Sequence, residues 1–503
     1  MSILQGLRRA VHINGRGIAT IDGDRRQTWS DFATRVAKFA GALAAAGVKP
    51  GDRVAILSLN SVTYLEFFYA APSAGALVVP LNTRLAPPEI VAILNDAGAV
   101  ALIVDETFTP VLPAIVPHLT SVKTVLTPAM LESAIAAADA LTVDDADAAD
   151  VYGIFYTGGT TAASKGVMLT HGNIIANAMN VLADVPLSRN TVYLHAAPMF
   201  HLADCAITFS ATLVAGTHTF VPKFDPVHVI DTIERHRVTN VVLVPSMISM
   251  VVNHPTVDQH DLSSLRGILY GGSPIAEAVL RRALACLPNC GFTQAYGMTE
   301  LAPIVTFLTP SDHATDGPHV RRLRSGGRPA VTAEIRIVDD MDRDVPAGTV
   351  GQIVARGPMV MKGYWNQPRL TAEALRGGWM HTGDGGYMDE DGYVYVVDRI
   401  KDMIISGGEN VYSAEVENAI FQHPAVAMCA VIGVPDEKWG ERVHAVVSVK
   451  PGQMVSDADL IAHTRTLIAG YKCPRTVDVR TEPLPLSGAG KVLKTVLRAE
   501  MRV

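Results

Sequence analysis

The sequence predicts an α/β protein: a large N-terminal domain of layered α/β sheets with a β-barrel-like subdomain, joined by a hinge to a small C-terminal α+β domain. Three observations carry that expectation. Short β-branched runs alternate with helical patterns through most of the chain. From about Gly326 the texture changes to short strands broken by Gly, Pro and Asp turns. A Gly-containing junction, DRIKDMIISGGENVY (398–412), then precedes a final segment with apolar runs of its own.

Taken in order, DFATRVAKFAGALAAAG (31–47) has helical periodicity and ends on Gly47, a C-terminal cap, before the turn Pro50-Gly51-Asp52. The runs RVAILSL (53–59), ALVVPL (76–81) and VALIVD (100–105) read as strands of a largely parallel sheet. Residues 131–150 are Ala/Asp-rich and read as a surface helix and linker. AEIRIVDD, GQIVARG and GYVYVVD are the β-rich part, and VAMCAVIGV (426–434) and VHAVVSV (443–449) are strands of the last domain. The boundaries expected are 1–398, a hinge over 399–403, and 404–503.

Composition narrows the function classes. In 503 residues, 49% are hydrophobic and 18% charged, enough apolar surface for a sizeable core. A net charge of −7 argues against a general nucleic-acid binder. The apolar stretch from Phe67 to Pro80 is too short to span a bilayer and contains Pro72, so no transmembrane segment is expected. The five cysteines are scattered without metal spacing, in keeping with incidental thiols in a reducing cytoplasm.

The chemistry begins at FYTGGTTAASKGVMLTHGN (155–173), where a strand enters a loop of small and hydroxyl residues followed by Lys165-Gly166. Backbone amides and the hydroxyls of Thr157, Thr160 and Thr161 suit a polyphosphate, and Lys165 adds charge. No Ser or Thr follows the lysine, so this is not a P-loop. The segment resembles the phosphate loop of the adenylate-forming superfamily, which includes acyl-CoA synthetases, aryl-CoA ligases, peptide-synthetase adenylation domains and firefly-type luciferases. Its usual form is YTSGTTGxPKG; here Gly158 replaces serine, Ala162 glycine and Ser164 proline, and Gly159 is kept.

Further segments resemble the family's motifs in the same order. APMFHLAD (197–204) is similar to the acyl-site segment, which implies an acyl pocket containing His201, Asp204 and Ala295, with Asp204 either exposed or selecting a polar substituent. YGGSPI (270–275) looks like the adenine loop, with Gly271, Gly272 and Ser273 close to the base. In QAYGMTELAP (294–303) the resemblance implies that Tyr296 stacks on adenine, Thr299 meets the α-phosphate and Glu300 holds Mg²⁺. GWMHTGDGGY (378–387) resembles the ribose motif through Asp384, with Arg399 beside it and Lys401 at the hinge position. SGGENVY (406–412) implies that Gly407, Gly408 and Glu409 approach CoA, with Trp439 and Tyr471 as further CoA contacts. PLPLSGAGKVLKTVLR (483–498) resembles the tail carrying the adenylation lysine, and the glycine before it selects Lys491 over Lys494.

The resemblance therefore implies an ATP-dependent acid:CoA ligase with Mg²⁺ as cofactor and ATP and CoA as co-substrates. Ala295 stands where relatives that activate malonate carry arginine, which disfavours a short dicarboxylic acid. A medium- or long-chain fatty acid is the expected substrate, with an aryl acid, or a carrier protein as acceptor, as the alternatives. The family also includes homodimers.

Overall fold

The computed structural model describes residues 2–141, 146–157, 164–273, 275, 277–399, 402–407, 409–486 and 492–501, the side chains of Arg399 and Asn410 apart. The helix Trp29–Ala45 illustrates how local sequence starts the fold. The Thr28 hydroxyl accepts from the Asp31 amide while the Asp31 carboxylate accepts from the Thr28 amide, closing a capping box. Trp29, Phe32, Val36, Phe39, Ala40 and Leu43 recur at helical spacing and are buried. Beyond the last turn, Gly47 takes φ +89°, the left-handed conformation that ends the helix cheaply only in glycine.

The strand Arg53–Leu57 follows and becomes an inner strand of a seven-stranded sheet. Its order is Gly363–Tyr364, Lys165–Thr170, Val151–Thr157, Leu77–Pro80, Arg53–Leu57, Ala99–Val104 and Thr124–Leu126. The inner strands pair in parallel, and antiparallel pairs close the edge that carries Lys165. A nine-stranded sheet runs Arg328–Pro329, Ile304–Leu308, Gly291–Gly297, Gly267–Gly271, Asn240–Leu243, Val192–His195, Thr217–Phe220, Ile18–Asp22 and Arg25–Thr28.

The largest apolar cluster joins both sheets. It contains Val54, Ile56 and Val78 of the first, Ala19 and Phe220 of the second, and helix residues Phe39, Phe67, Phe68 and Phe209 between them. Each such phenylalanine contributes about 2 kcal/mol over leaving it exposed. The stretch Phe67–Pro80 is thus core: the helix Val62–Ser73 is buried on nearly every side because sheets and helices surround it. Among the described residues no helix is long and apolar enough to cross a membrane.

The β-rich segment after Gly326 forms a four-stranded antiparallel sheet, in the order Glu334–Val338, Gly351–Arg356, Met380–Met388 and Val394–Arg399. Ile337, Ile353 and Val394 form its buried face. The last segment has its own five-stranded sheet, Glu409–Val411, Ile404–Ser406, Gly440–Val449 and Val426–Asp436, with Thr476–Arg480 alongside Gly440–Val449. Its core is separate, built on Ile404, Val416, Ile420, Val431 and Val447. The architecture is α/β with a large N-terminal and a small C-terminal domain.

Candidate active site

The phosphate-loop motif grows from a hairpin stem. Thr157 and Lys165 are register partners at the end of the antiparallel pair Val151–Thr157 and Lys165–Thr170, so Lys165 is held at the mouth of the loop. Gly166 cannot be larger, since a Cβ there would lie 2.7 Å from Ile154 and 3.2 Å from Trp365. Gly158, Gly159, Thr160, Thr161 and Ala162 lie outside the described residues, as do Lys401, Gly408 and Lys491.

The expected adenine and phosphate residues come from the neighbouring sheet. Tyr296 lies near the end of Gly291–Gly297, and Thr299 and Glu300 occupy the 3₁₀ turn Thr299–Leu301 that follows. Gly326 packs behind the tyrosine, where a Cβ would stand 3.1 Å from Tyr296 Cβ. Gly272 takes φ +79°, a turn glycine at the end of its strand. Gly271 has a packing reason to be glycine, since a Cβ would come within 2.2 Å of the Ala295 carbonyl on the adjoining strand.

Two long-range hydrogen bonds tie the motifs together. The Tyr296 hydroxyl donates to Asp384 Oδ2 at 2.7 Å. Asp384 is itself buried, its amide donates to Thr382 Oγ1 at 3.0 Å, and its register partner across the sheet is Arg399. The second is at the other end of the group: the Tyr364 hydroxyl donates to Glu300 Oε1 at 2.9 Å, and Lys165 Nζ lies 5.4 Å from the centre of the Tyr364 ring. Tyr364 went unnoticed in the sequence because GYW reads as an ordinary turn; its only signal was a tyrosine after a glycine between two turn-rich stretches.

Asp204 departs from the first of its two sequence alternatives. It is fully buried, so it is not an exposed residue. Its carboxylate accepts from the Tyr193 hydroxyl at 2.9 Å and from Thr208 at 3.3 Å, and lies 2.6 Å from His195 Nδ1. His195 Nε2 continues to His218 Nδ1 at 3.0 Å, and His218 Nε2 to Thr212 Oγ1 at 3.2 Å. Burial keeps His218 well below the usual histidine range, so that ring stays neutral in the chain of bonds. This network anchors the helix Leu202–Leu213, whose N-cap is His201; the His201 Nδ1 accepts from the Ala203 amide at 3.1 Å.

Asn60, also unforeseen, fixes the approach to that cap. Its Nδ2 donates to the carbonyls of His195, Ala197 and Val221, and its Oδ1 accepts from the Met199 amide at 2.8 Å.

On the C-terminal domain, Gly407 and Trp439 meet: the Gly407 amide donates to the Trp439 carbonyl at 2.8 Å, and at φ +62° a Cβ there would strike the indole at 2.9 Å. Arg475 Cζ and Lys438 Nζ lie 4.8 and 4.9 Å from the indole centre. Glu409 and Tyr471 are exposed. Lys494 is engaged within the small domain, its Nζ donating to Ser413 Oγ at 2.5 Å and pairing with Glu417 at 2.8 Å.

The sequence matches the AMP-binding enzyme family over residues 7–365 and that family's C-terminal domain over residues 415–491. The chain belongs to the AMP-binding enzymes. A feruloyl-CoA synthase from Amycolatopsis sp is 43% identical over 500 residues, covering 97% of each chain. ScoC of Streptomyces coeruleorubidus, a fatty acid–[acyl-carrier-protein] ligase, is 37% identical over 492 residues, covering 94% of this chain and 91% of that protein. The crystal structure of the anthranilate CoA ligase AuaEII in complex with anthranoyl-AMP superposes with a TM-score of 0.92 at 27% identity, covering 100% of this chain and 97% of that one. This AMP-binding enzyme is a member of the adenylate-forming superfamily and an AMP-forming acid–thiol ligase.

Proposed function

We propose that this chain joins an aromatic carboxylic acid to CoA through an acyl-adenylate. The acid's carboxylate attacks the α-phosphorus of ATP and pyrophosphate leaves; the CoA thiolate then attacks the acyl carbon and AMP leaves. The observation that carries the nucleotide reading is the pair of bridges Tyr296–Asp384 and Tyr364–Glu300. They put a flat ring beside a carboxylate suited to ribose hydroxyls, and a carboxylate beside a lysine suited to polyphosphate.

Mg²⁺ enters with ATP as part of the substrate. Among the described residues there is no cluster of three acidic, His or Cys side chains that would hold a resident metal. A lone Glu300 fits a cation that keeps its waters and phosphate oxygens. In this reading Thr299 meets the α-phosphate, Lys165 and Lys491 balance phosphate charge, and His201 and Ala295 border the acid. Residues 404–503 turn about Lys401 between half-reactions, as the separate sheet and core of that segment support. Trp439 with Arg475 and Lys438 offers an aromatic face and two cations for the nucleotide end of CoA.

The aromatic class is favoured by the full-length likeness to a feruloyl-CoA synthase. With Asp204 committed to His195 and Tyr193, the residues expected beside the acid include no lysine or arginine for a second carboxylate. A medium- or long-chain fatty acid is the second reading, favoured by the likeness to ScoC. Pyrophosphate release measured over hydroxycinnamic, benzoic and fatty acids, with and without CoA, tests both. Hydroxycinnamic acids should give the highest kcat/KM and a CoA thioester. Lys491→Ala should slow adenylation by at least about 100-fold while leaving thioester formation from added acyl-adenylate. Preference for fatty acids would replace the aromatic reading, and no release with any acid would remove both.

A further inference from the structure

The segment Met361–Trp365 sutures two loops that arrive from distant parts of the chain. The Met361 amide donates to the Glu300 carbonyl at 2.9 Å, and the Trp365 amide to the Gly166 carbonyl at 2.7 Å. Between them Gly363–Tyr364 forms a two-residue strand against Lys165–Thr170, with Tyr364 opposite Val167. Gly363 sits at φ +149°, where a Cβ would lie 2.7 Å from the Thr371 side chain, and the Tyr364 amide donates to Thr371 Oγ1 at 2.9 Å. The backbone on both sides of the tyrosine is therefore held, and its side chain is buried. Its hydroxyl ends on Glu300 Oε1, with Lys165 Nζ over the ring.

We propose that Tyr364 is a positioning residue of the nucleotide site: its hydroxyl orients the Glu300 carboxylate toward the cation carried by ATP, and its ring face holds Lys165 beside it. A neutral phenol donor occupies one lone pair of the carboxylate and brings no charge of its own to the site. A fixed carboxylate also loses no rotamer freedom when the cation arrives. The ring quadrupole restrains the lysine ammonium without neutralising it, so its charge stays available to phosphate. One side chain thereby sets the spacing between the negative and positive partners of the polyphosphate. The inference rests on the nucleotide reading proposed above.

Two variants separate the roles, since Tyr364→Phe removes the hydroxyl and Tyr364→Leu removes the ring as well. Mn²⁺ is the probe, titrated by electron paramagnetic resonance with ATP present and acid absent. Tyr364→Phe should weaken ATP-dependent Mn²⁺ binding roughly tenfold, the scale of losing an outer partner of a metal ligand. ATP affinity at saturating metal should stay near that of the unsubstituted protein. Tyr364→Leu should in addition raise the ATP dissociation constant at saturating metal about threefold, as Lys165 loses its support. If the Tyr364→Phe titration superimposes on the original, or its defect persists undiminished at saturating metal, the positioning role is wrong. If the unsubstituted protein binds Mn²⁺ equally with and without ATP, the nucleotide reading fails and this inference with it.

Discussion

At the scale of single residues, environment decides what a carboxylate does. Glu300 and Asp384 are buried, and each receives a tyrosine hydroxyl that ties it into the proposed nucleotide group. Asp204, from an equally suggestive motif, is consumed by Tyr193, Thr208 and His195 in the dry core. Replacing it with alanine strands a phenol and an imidazole where water cannot reach them. Asp204→Ala should therefore cost about 3 kcal/mol, read as a lower midpoint in urea at unchanged slope. Equal midpoints would mean that the network contributes nothing to stability. From sequence the three acids are indistinguishable, because each lies in a plausible motif and their donors come from strands far away in the chain.

At the scale of elements, local rules were largely sufficient. The helix Trp29–Ala45 and the strands Arg53–Leu57, Leu77–Pro80 and Ala99–Val104 lie where periodicity and turn residues put them, because capping, φ preference and apolar spacing act within a few residues. The attachment of the N-terminal helix Ile3–Asn14 was not legible. The Ile3 amide points at His171 Nδ1, 3.4 Å away, at the start of the helix His171–Asp184. Burial presses the His171 pKa down to about 4. Below pH 6.5 the unfolded chain takes up a proton that the folded protein refuses until about pH 4. The stabilisation is thus complete above pH 6.5 and lost as pH falls toward 4, amounting to about 3 kcal/mol over the window. Urea unfolding at pH 7.0 and 4.5 should show a steeper loss for the original protein than for His171→Asn; parallel losses would assign the acid sensitivity elsewhere.

At the scale of the whole molecule, the proposed reaction divides its two half-reactions between surfaces. The cations around Trp439 lie beside the C-terminal sheet, Lys438 in the turn before Gly440–Val449 and Arg475 at the entry to Thr476–Arg480, far in sequence from the Tyr296–Asp384 bridge. Arg475→Ala should raise the KM for CoA about tenfold, the loss of one charge-assisted phosphate contact, and leave pyrophosphate release without CoA unaltered. A matching fall in pyrophosphate release would tie Arg475 to the first step instead. Lys494 is spent on Glu417 and Ser413, securing the tail to the helix Ser413–Phe421. Nearby, Arg498 pairs with Asp402 at 2.8 Å, and Asp398 accepts from the Ser413 amide at 2.5 Å, so both flanks of the junction are tied to the small domain.

By itself the sequence determined the α/β class, the order of the elements and the adenylate-forming motifs, since each is written in contiguous residues whose periodicity, turn chemistry and spacing act locally. Long-range packing settles that Tyr364 meets Glu300 across 64 positions, that Tyr296 meets Asp384 across 88, and that Asp204 turns to His195. Those pairings are set by how two sheets and their helices pack, and packing free energy is summed over the whole core, so no local pattern records it.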